Sequence, residues 1–322
     1  MSEAQTKNLT VLRAYAPDID GVRREVLDGL RKPKKSLPSK LFYDERGSQL
    51  FEEISELSEY YLTRTETAIF IDRIDEIASR IGSGVLLIEF GSGNSQKTRI
   101  LLDHLPDLAG YVAIDISQEK LTESAAAIAM AYPGLNVLPL WADYTRDLEL
   151  PAIGESRKVA FFPGSSIGNF YPREAEAFLK RVARLVGTGG GLLIGVDLKK
   201  EARTLNLAYN DPKGVTAAFN LNMLAHLNRE FGAGFRLDRF RHEATYNEQQ
   251  GRIEMYLVSL EGQTATFGES EISFRRDERI LTEVSHKYTV EEFERLAVGG
   301  GFHVREVWTD GDQLFSVQYL EV

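Results

Sequence analysis

The sequence of 322 residues contains no cysteine. That one absence excludes disulfides, thiolate nucleophiles and cysteine metal sites, and it fits a reducing compartment. Positive charge is in deficit: 38 Lys and Arg stand against 48 Asp and Glu, a formal net charge of −10. Such a field repels a phosphate backbone, so nucleic acid is not an expected partner. No apolar run approaches the ~18 residues that a membrane span requires, and the opening MSEAQTKNLT lacks a signal-peptide core. No membrane partner and a cytoplasmic location are the expectations. The 5 histidines, at 104, 226, 242, 286 and 303, show no metal-ligand spacing. They are assigned surface or structural roles, and no metal is expected.

Apolar side chains are plentiful, at 43% of the chain, enough for a real core. From Val85 onward, short apolar runs alternate with amphipathic stretches. The segments 85–90, 111–117, 135–140, 158–164 and 191–198 read as strands, with PREAEAFLKRVARLV a helix ahead of the last. Ser117 is expected to cap the helix that follows the second strand, with a glutamate near its third position. Continuous apolar strands separated by helices predict a parallel sheet covered on both faces. TVEEFERLAVGGG then reads as a helix with a glycine stop, and FHVREVWTD and QLFSVQYLEV as a hairpin turning at Asp310-Gly311-Asp312. The predicted fold class is therefore α/β, with the Rossmann-like seven-stranded sheet of the class I methyltransferases, antiparallel at one position.

Two regions do not follow the alternation. The stretch from 199 to 287 carries a helical tract through LNMLAHLNREF and then segments that alternate like antiparallel strands. The N-terminal segment, with KPKKSLPSKLFYDERGSQLFEEI, has no evident place in the sheet. We therefore expect residues 1–64 and 199–287 to form a second, α+β, substrate-binding lobe, and residues 65–198 and 288–322 to form the cofactor-binding domain. The cleft between such lobes is the expected ligand site.

The segment GVLLIEFGSGNSQKTRILLDHL places Gly91-Ser92-Gly93 at the carboxyl end of the first strand, where doubly wound sheets bind ligands. Glycines there let a ligand approach the backbone, and the next helix offers unpaired N–H groups. The third glycine of the dinucleotide fingerprint is missing, since position 96 is glutamine. Asp115 ends the second strand, suited to ribose hydroxyls, and Asp143-Tyr144 follows the third, suited to an adenine amino group and its ring. Glycine, aspartate and aspartate at successive strand ends form a constellation for S-adenosylmethionine, and their negative charge suits a sulfonium cation. Each carboxylate taken alone reads better as a cap or a solvated loop residue.

The stretches SLPSKLFYDERGSQLFEEI, EYYLTRTE, EFGSGNSQKTR, FPGSSIGNFYP, AYNDPKGVTAAFN, RIEMYL and TEVSHKY resemble the histidine-specific N-methyltransferase of ergothioneine biosynthesis. That family converts L-histidine to its trimethylammonium betaine, hercynine, and releases S-adenosyl-L-homocysteine. The similarity runs from about Lys35 to the last strand. It implies that Asn169 and Tyr209 hold the carboxylate and amine region of the substrate and that Tyr43 is the catalytic residue beside the amino nitrogen. It implies further that Glu283 and Ser285 bind the ring nitrogens, that Tyr60 lies near the ring, and that Thr216, Phe219 and Met255 form the wall. Gly91, Ser92, Gly93, Lys97, Asp115, Asp143, Tyr144 and Gly164 fall to the cofactor. Tyr144 stands where phenylalanine is the alternative, and either ring can cover adenine.

These assignments rest on the resemblance. By pattern alone, Met255 is ordinary strand packing, the tyrosines are core or rim residues, and Asn169 makes a turn before the Pro172 helix start. Glu283 and Ser285, two apart on an expected strand, share one face. The leading expectation is trimethylation of the α-amino group of L-histidine by a monomer. The alternatives are methylation of another amino acid such as a tryptophan derivative, a nicotinamide-dependent oxidoreductase, and a catalytically silent amino acid sensor.

Overall fold

The computed structural model describes residues 12–13, 18–93, 95–105, 107–148, 150, 154 and 156–322. The opening MSEAQTKNLT lies outside them. In chain order the elements begin with β1 (Leu12–Arg13), α1 (Ile19–Arg31), β2 (Lys35–Ser36), α2 (Glu45–Ser55) and α3 (Tyr61–Ile81). There follow β3 (Leu86–Phe90), α4 (Gln96–His104), β4 (Gly110–Asp115), α5 (Gln118–Ala131), β5 (Val137–Trp141), β6 (Lys158–Phe162), α6 (Pro172–Val186) and β7 (Gly191–Asp197). The next segment holds α7 (Ala202–Ala208), α8 (Val215–Phe231), β8 (Phe240–Asn247), β9 (Arg252–Ser259), β10 (Gln263–Phe267), β11 (Ser270–Phe274) and β12 (Arg279–His286). The chain closes with α9 (Val290–Gly299), β13 (His303–Thr309) and β14 (Phe315–Glu321).

The chain divides into two compact units. The first takes Leu62–Lys199 and Tyr288–Val322 together with β1. Its sheet runs β1-β5-β4-β3-β6-β7-β14-β13, parallel through β7, with β14 antiparallel to both of its neighbours. Every residue of β3 and β7 is buried, which is why these strands read as apolar runs carrying a single acidic residue each, Glu89 and Asp197. The winding reverses between β3 and β6, which lie side by side. The loops that leave those two strands therefore share the switch point of the sheet.

Two expectations need correction here. The segment ahead of α1 does have a place in the sheet: Leu12 and Arg13 pair in parallel with Leu140 and Trp141, adding an eighth strand. An edge strand presents unpaired backbone groups, and two residues suffice to cover part of them, too few to leave a periodicity in the sequence. Ser117 does sit at the N-cap of α5, but its side chain makes no capping bond; its backbone N–H instead donates to Asp115 Oδ1 at 2.9 Å. A reciprocal capping box is found on α9, between Thr289 and Glu292.

The second unit takes Pro17–Tyr61 and Lys200–Lys287. Its sheet runs β2-β12-β9-β8, and β10 and β11 form a separate antiparallel pair. Helix α8 packs on β8 and β9 and against α2. Left-handed glycines bracket it, Gly214 (φ +75°) before and Gly232 (φ +63°) after. A bulge between Leu281 and Glu283 shifts the β12–β9 register from Leu281↔Tyr256 to Glu283↔Met255. Because side chains alternate along a strand, that slip of one residue turns Glu283 and Ser285 onto the face of Met255 and away from that of Leu281.

Candidate active site

In the first unit the strand ends converge as the pattern predicts. Gly91 and Gly93 adopt left-handed conformations, φ +76° and +45°, and a Cβ on Gly91 would meet nothing within 4 Å. The glycine is thus required by the backbone path. Ser95 and Ser165, which leave β3 and β6, hold the same region without a glycine's freedom (φ 56° and 58°). Both are buried, and Ser165 Oγ accepts the Asp197 N–H at 2.9 Å. Strain of this kind is held in place by surrounding packing and gathers at ligand sites. Ser92, also buried, bonds Ser124 through the hydroxyls at 3.1 Å.

Beneath this corner lies Glu89, the acidic residue at the end of the first apolar run. It accepts the Thr98 hydroxyl at 2.8 Å on both oxygens, and the Tyr111 phenol donates to it as well. Burial pushes its carboxyl up to about 7, against the pull of these hydrogen bonds. The residue pins α4 and β4 to β3 and thereby fixes the glycine corner.

Asp115 is partly exposed, and burial raises its carboxyl while the N–H groups of Ser117, Gly93, Ile116 and Ser92 draw it back down. Asp143 is buried; its Oδ1 accepts the Thr145 N–H at 2.9 Å and the Thr145 hydroxyl at 2.5 Å, and Arg146 stands 3.7 Å from Oδ2. Tyr144 packs its ring edge-on among Phe90, Phe162 and Phe178, on the core cluster. Lys97 and Gly164 are brought together by a residue the sequence did not single out. The buried Glu66 of α3 accepts Lys97 Nζ at 2.5 Å and the Gly164 N–H at 2.9 Å. Asn169 ends a short 3-10 turn, Ser166–Asn169, after β6.

In the second unit a single aromatic and polar cluster gathers most of the remaining residues. Phe42 stacks on Phe219 with centroids 4.4 Å apart, and the Tyr43 ring meets Phe219 and Phe51 edge-on. Phe51 meets Tyr60, and Tyr60 meets Tyr209, each at 6.2 Å. The Tyr209 phenol donates to Ser285 Oγ at 3.0 Å. The next residue, Asp44, caps α2 through the Gly47 N–H and is bonded by Asn222 and Arg229, all at 2.7 Å. Burial would raise the Asp44 carboxyl, but these partners hold it below the usual carboxylate range. Thr216 is buried in the first turn of α8, its N–H accepted by Asp211 at 2.8 Å.

Glu283 stands opposite the buried Met255. Burial pushes its carboxyl up to about 7, with Lys287 pulling the other way, and no hydrogen bond to it is found among the described residues. A carboxylate facing an apolar neighbour without a donor is costly unless a ligand supplies one. One further residue escaped the sequence reading, and one histidine takes the structural role expected of it. Lys287, 1% exposed, donates to Ser285 Oγ at 2.9 Å and to Tyr209 Oη at 3.0 Å. His242 bonds the Tyr209 carbonyl through Nε2 at 2.9 Å while Nδ1 accepts from Asn220 Nδ2 at 2.9 Å, so its proton sits on Nε2 and its ring fixes the Tyr209 backbone. Burial lowers its pKa and keeps the ring neutral. The resemblance pointed to Glu283 and Ser285, and the strand that carries them ends one residue short of Lys287.

The donor set fits S-adenosylmethionine. At the ends of β4 and β5 it offers carboxylate acceptors for hydroxyl and amino groups and a negative field for a sulfonium cation. Among the described residues no cluster of metal-ligating side chains occurs, and no helix is long and apolar enough to cross a membrane.

Comparison with known proteins places these residues in a family. Residues 22–322 match the family described as "Histidine-specific methyltransferase, SAM-dependent". The chain is 40% identical over 297 residues to the histidine N-alpha-methyltransferase of Mycolicibacterium smegmatis, covering 90% of this chain and 92% of that one. It is 41% identical over 295 residues to that of Mycobacterium tuberculosis, covering 90% and 91%. It also matches ergothioneine biosynthesis protein 1 of Neurospora crassa, 35% identical over 324 residues, which is 97% of this chain but 36% of that protein. The chain belongs to the S-adenosylmethionine-dependent, histidine-specific methyltransferase family.

Proposed function

We propose that this protein transfers methyl groups from S-adenosylmethionine to the α-amino nitrogen of L-histidine, three in succession, giving hercynine for ergothioneine biosynthesis. The observation that carries the substrate assignment is the Glu283 carboxylate, pushed up to about 7 by burial and lacking a hydrogen-bond donor among the described residues, two positions from the Ser285 hydroxyl. A ring that presents an N–H to the one and an unprotonated nitrogen to the other satisfies both. Phenylalanine and leucine satisfy neither, and a buried carboxylate left unpaired weighs against them.

The cofactor, when bound, supplies a methyl group activated by its sulfonium. Asp115 takes its ribose hydroxyls and Asp143 its adenine amino group, with Gly91, Ser92, Gly93, Lys97, Tyr144 and Gly164 completing the contacts. Asn169 and Tyr209 hold the substrate carboxylate and amine, and Tyr60 borders the ring. Thr216, Phe219 and Met255 exclude water and set the width of the pocket. Tyr43 serves the amine. A phenol hydrogen-bonds a neutral amine without a fixed negative charge that would hold it as ammonium, and the nitrogen must offer its lone pair at each transfer. Each of the first two transfers leaves a proton on nitrogen that departs before the next. We further expect a monomer acting in the cytoplasm, which light scattering tests for the first part.

Incubation with S-adenosylmethionine and an equimolar mixture of the twenty amino acids, read by mass spectrometry, tests the assignment. Histidine should gain one, two and then three methyl groups while tryptophan and phenylalanine stay unchanged. Methylation of tryptophan at a comparable rate would overturn the specificity.

A further inference from the structure

The parallel connections from β3 to β4, from β4 to β5 and from β6 to β7 carry the helices α4, α5 and α6. The connection from β5 to β6 passes over β4 and β3, yet it forms no helix among the described residues. A crossover of this kind ordinarily lays a helix on the sheet. Here a cavity of about 470 Å³ lies on the α6 side instead, against Leu86 and Phe90 of β3 and Phe178 and Val182 of α6. Small-molecule sites span roughly 300–1,000 Å³, so the space suits a ligand of modest size.

Helix α6 turns Phe178, Arg181, Val182 and Leu185 toward this cavity, at the i, i+3, i+4, i+7 spacing of an apolar stripe. Arg181 interrupts the stripe with a charge. Its guanidinium carbon lies 6.0 Å from the centroid of the Phe178 ring, its Nε is buried without a hydrogen-bond partner, and it enters no ion pair among the described residues. Lys158, the first residue of β6, lines the same space and also enters no ion pair among the described residues. Both are half-buried. Arg146 and Arg184 reach the cavity too, but Asp143 stands 3.7 Å from the one and Asp147 3.4 Å from the other. Cations held partly out of water beside apolar walls call for a counter-ion, in a chain whose own net charge is −10.

We propose that this cavity is a second ligand site, distinct from the cofactor corner, that takes a small organic acid. Its anionic head is drawn by Arg181 and Lys158, and its hydrocarbon body covers Phe90, Phe178 and Val182. An inorganic anion answers the charge but leaves the apolar wall uncovered. Of the residues given to the cofactor only Tyr144 borders the cavity. Leu86 and Lys158 open β3 and β6, at the strand ends opposite to those that lead into Gly91 and Gly164. No residue assigned to the amino acid substrate takes part.

Titration calorimetry with S-adenosylhomocysteine at saturation tests the site, using octanoate and 3-phenylpropionate as acids, octan-1-ol as the uncharged body and inorganic phosphate as the bare anion. The better acid should bind one-to-one with a Kd below about 1 mM, at least about tenfold tighter than octan-1-ol or phosphate. Which acid binds better reports whether the body is aliphatic or aromatic. In Arg181→Met, which keeps an apolar stem, affinity for that acid should fall about tenfold or more while S-adenosylhomocysteine affinity stays within about threefold of wild type. Failure of both acids to bind overturns the proposal, as does phosphate binding as tightly as they do. Acid binding seen only without S-adenosylhomocysteine assigns the cavity to the cofactor site and overturns it equally. Unchanged acid affinity in Arg181→Met, or a parallel loss of both ligands, does the same. Should that variant fail to fold, Lys158→Met decides: the acid should weaken about threefold or more, and an unchanged affinity overturns the site.

Discussion

Glu283→Gln should make the protein more stable and a worse binder of histidine. The carboxyl, ordinarily near 4.5, is pushed up to about 7 by burial against the partial relief that Lys287 gives. At roughly 1.36 kcal/mol per pKa unit this difference amounts to about 3 kcal/mol against the charged form, which partial contact with water trims to ~2 kcal/mol. The folded protein keeps its proton up to about pH 7, whereas the unfolded chain releases it near 4.5. The Glu283 contribution is thus free of penalty below the lower value, and stability is lost as pH rises through the upper one. Glutamine has the same shape and no charge, so the variant should melt a few degrees above wild type at pH 8 and alongside it at pH 4.5. Glu89, which also titrates at about 7, keeps part of the slope in both proteins. Histidine supplies the missing donor through a charge-assisted hydrogen bond of ~2 kcal/mol, so its affinity should fall about 30-fold in the variant, with S-adenosylhomocysteine affinity unchanged. Differential scanning calorimetry across pH and titration calorimetry with histidine read the two halves. Equal melting at pH 8 together with equal histidine affinity refutes the reasoning.

Three other outcomes follow from the geometry. Gly91→Ala meets no atom but forces an L side chain into φ +76°, costing about 1–2 kcal/mol; the protein should fold with a modestly lower melting temperature and lose S-adenosylhomocysteine affinity in titration calorimetry. Gly195→Ala is different in kind, because its Cβ would overlap Glu66 Oε1, the oxygen that also accepts the Gly164 N–H; we expect cofactor affinity to collapse, or soluble yield with it, and normal binding would remove Glu66 from the support of the cofactor corner. Asp44→Ala leaves the Gly47 N–H, Asn222 and Arg229 without their acceptor and should lower stability to urea by about 2–3 kcal/mol, with kcat reduced through misplacement of Tyr43 and KM for S-adenosylmethionine unchanged.

What the sequence discloses is what local pattern encodes. The apolar runs of β3, β4 and β7 announce a sheet covered on both faces, and the glycine corner and the aspartates stand at successive strand ends. The hairpin at Asp310 to Asp312 declares itself by turn chemistry. The residues that hold the site from behind are a different matter, because each is defined by a partner far away in the chain. Glu66 reads as one more charge on a helix, yet it holds Lys97 and the Gly164 N–H. His242 reads as an isolated histidine, yet it fixes the Tyr209 carbonyl. The bulge at Thr282 has no local signature, and it decides which face Glu283 and Ser285 occupy. Strand β1 is two residues long and forms because an edge is available to it.

The most direct measurement uses S-adenosylmethionine carrying a carbon-13 methyl group, unlabelled L-histidine and nuclear magnetic resonance of the product. The account predicts a single enriched trimethylammonium resonance coupled to the α-carbon, with both ring nitrogens unlabelled. Label on an imidazole nitrogen, or a product that stops at one methyl group with cofactor in excess, would contradict it.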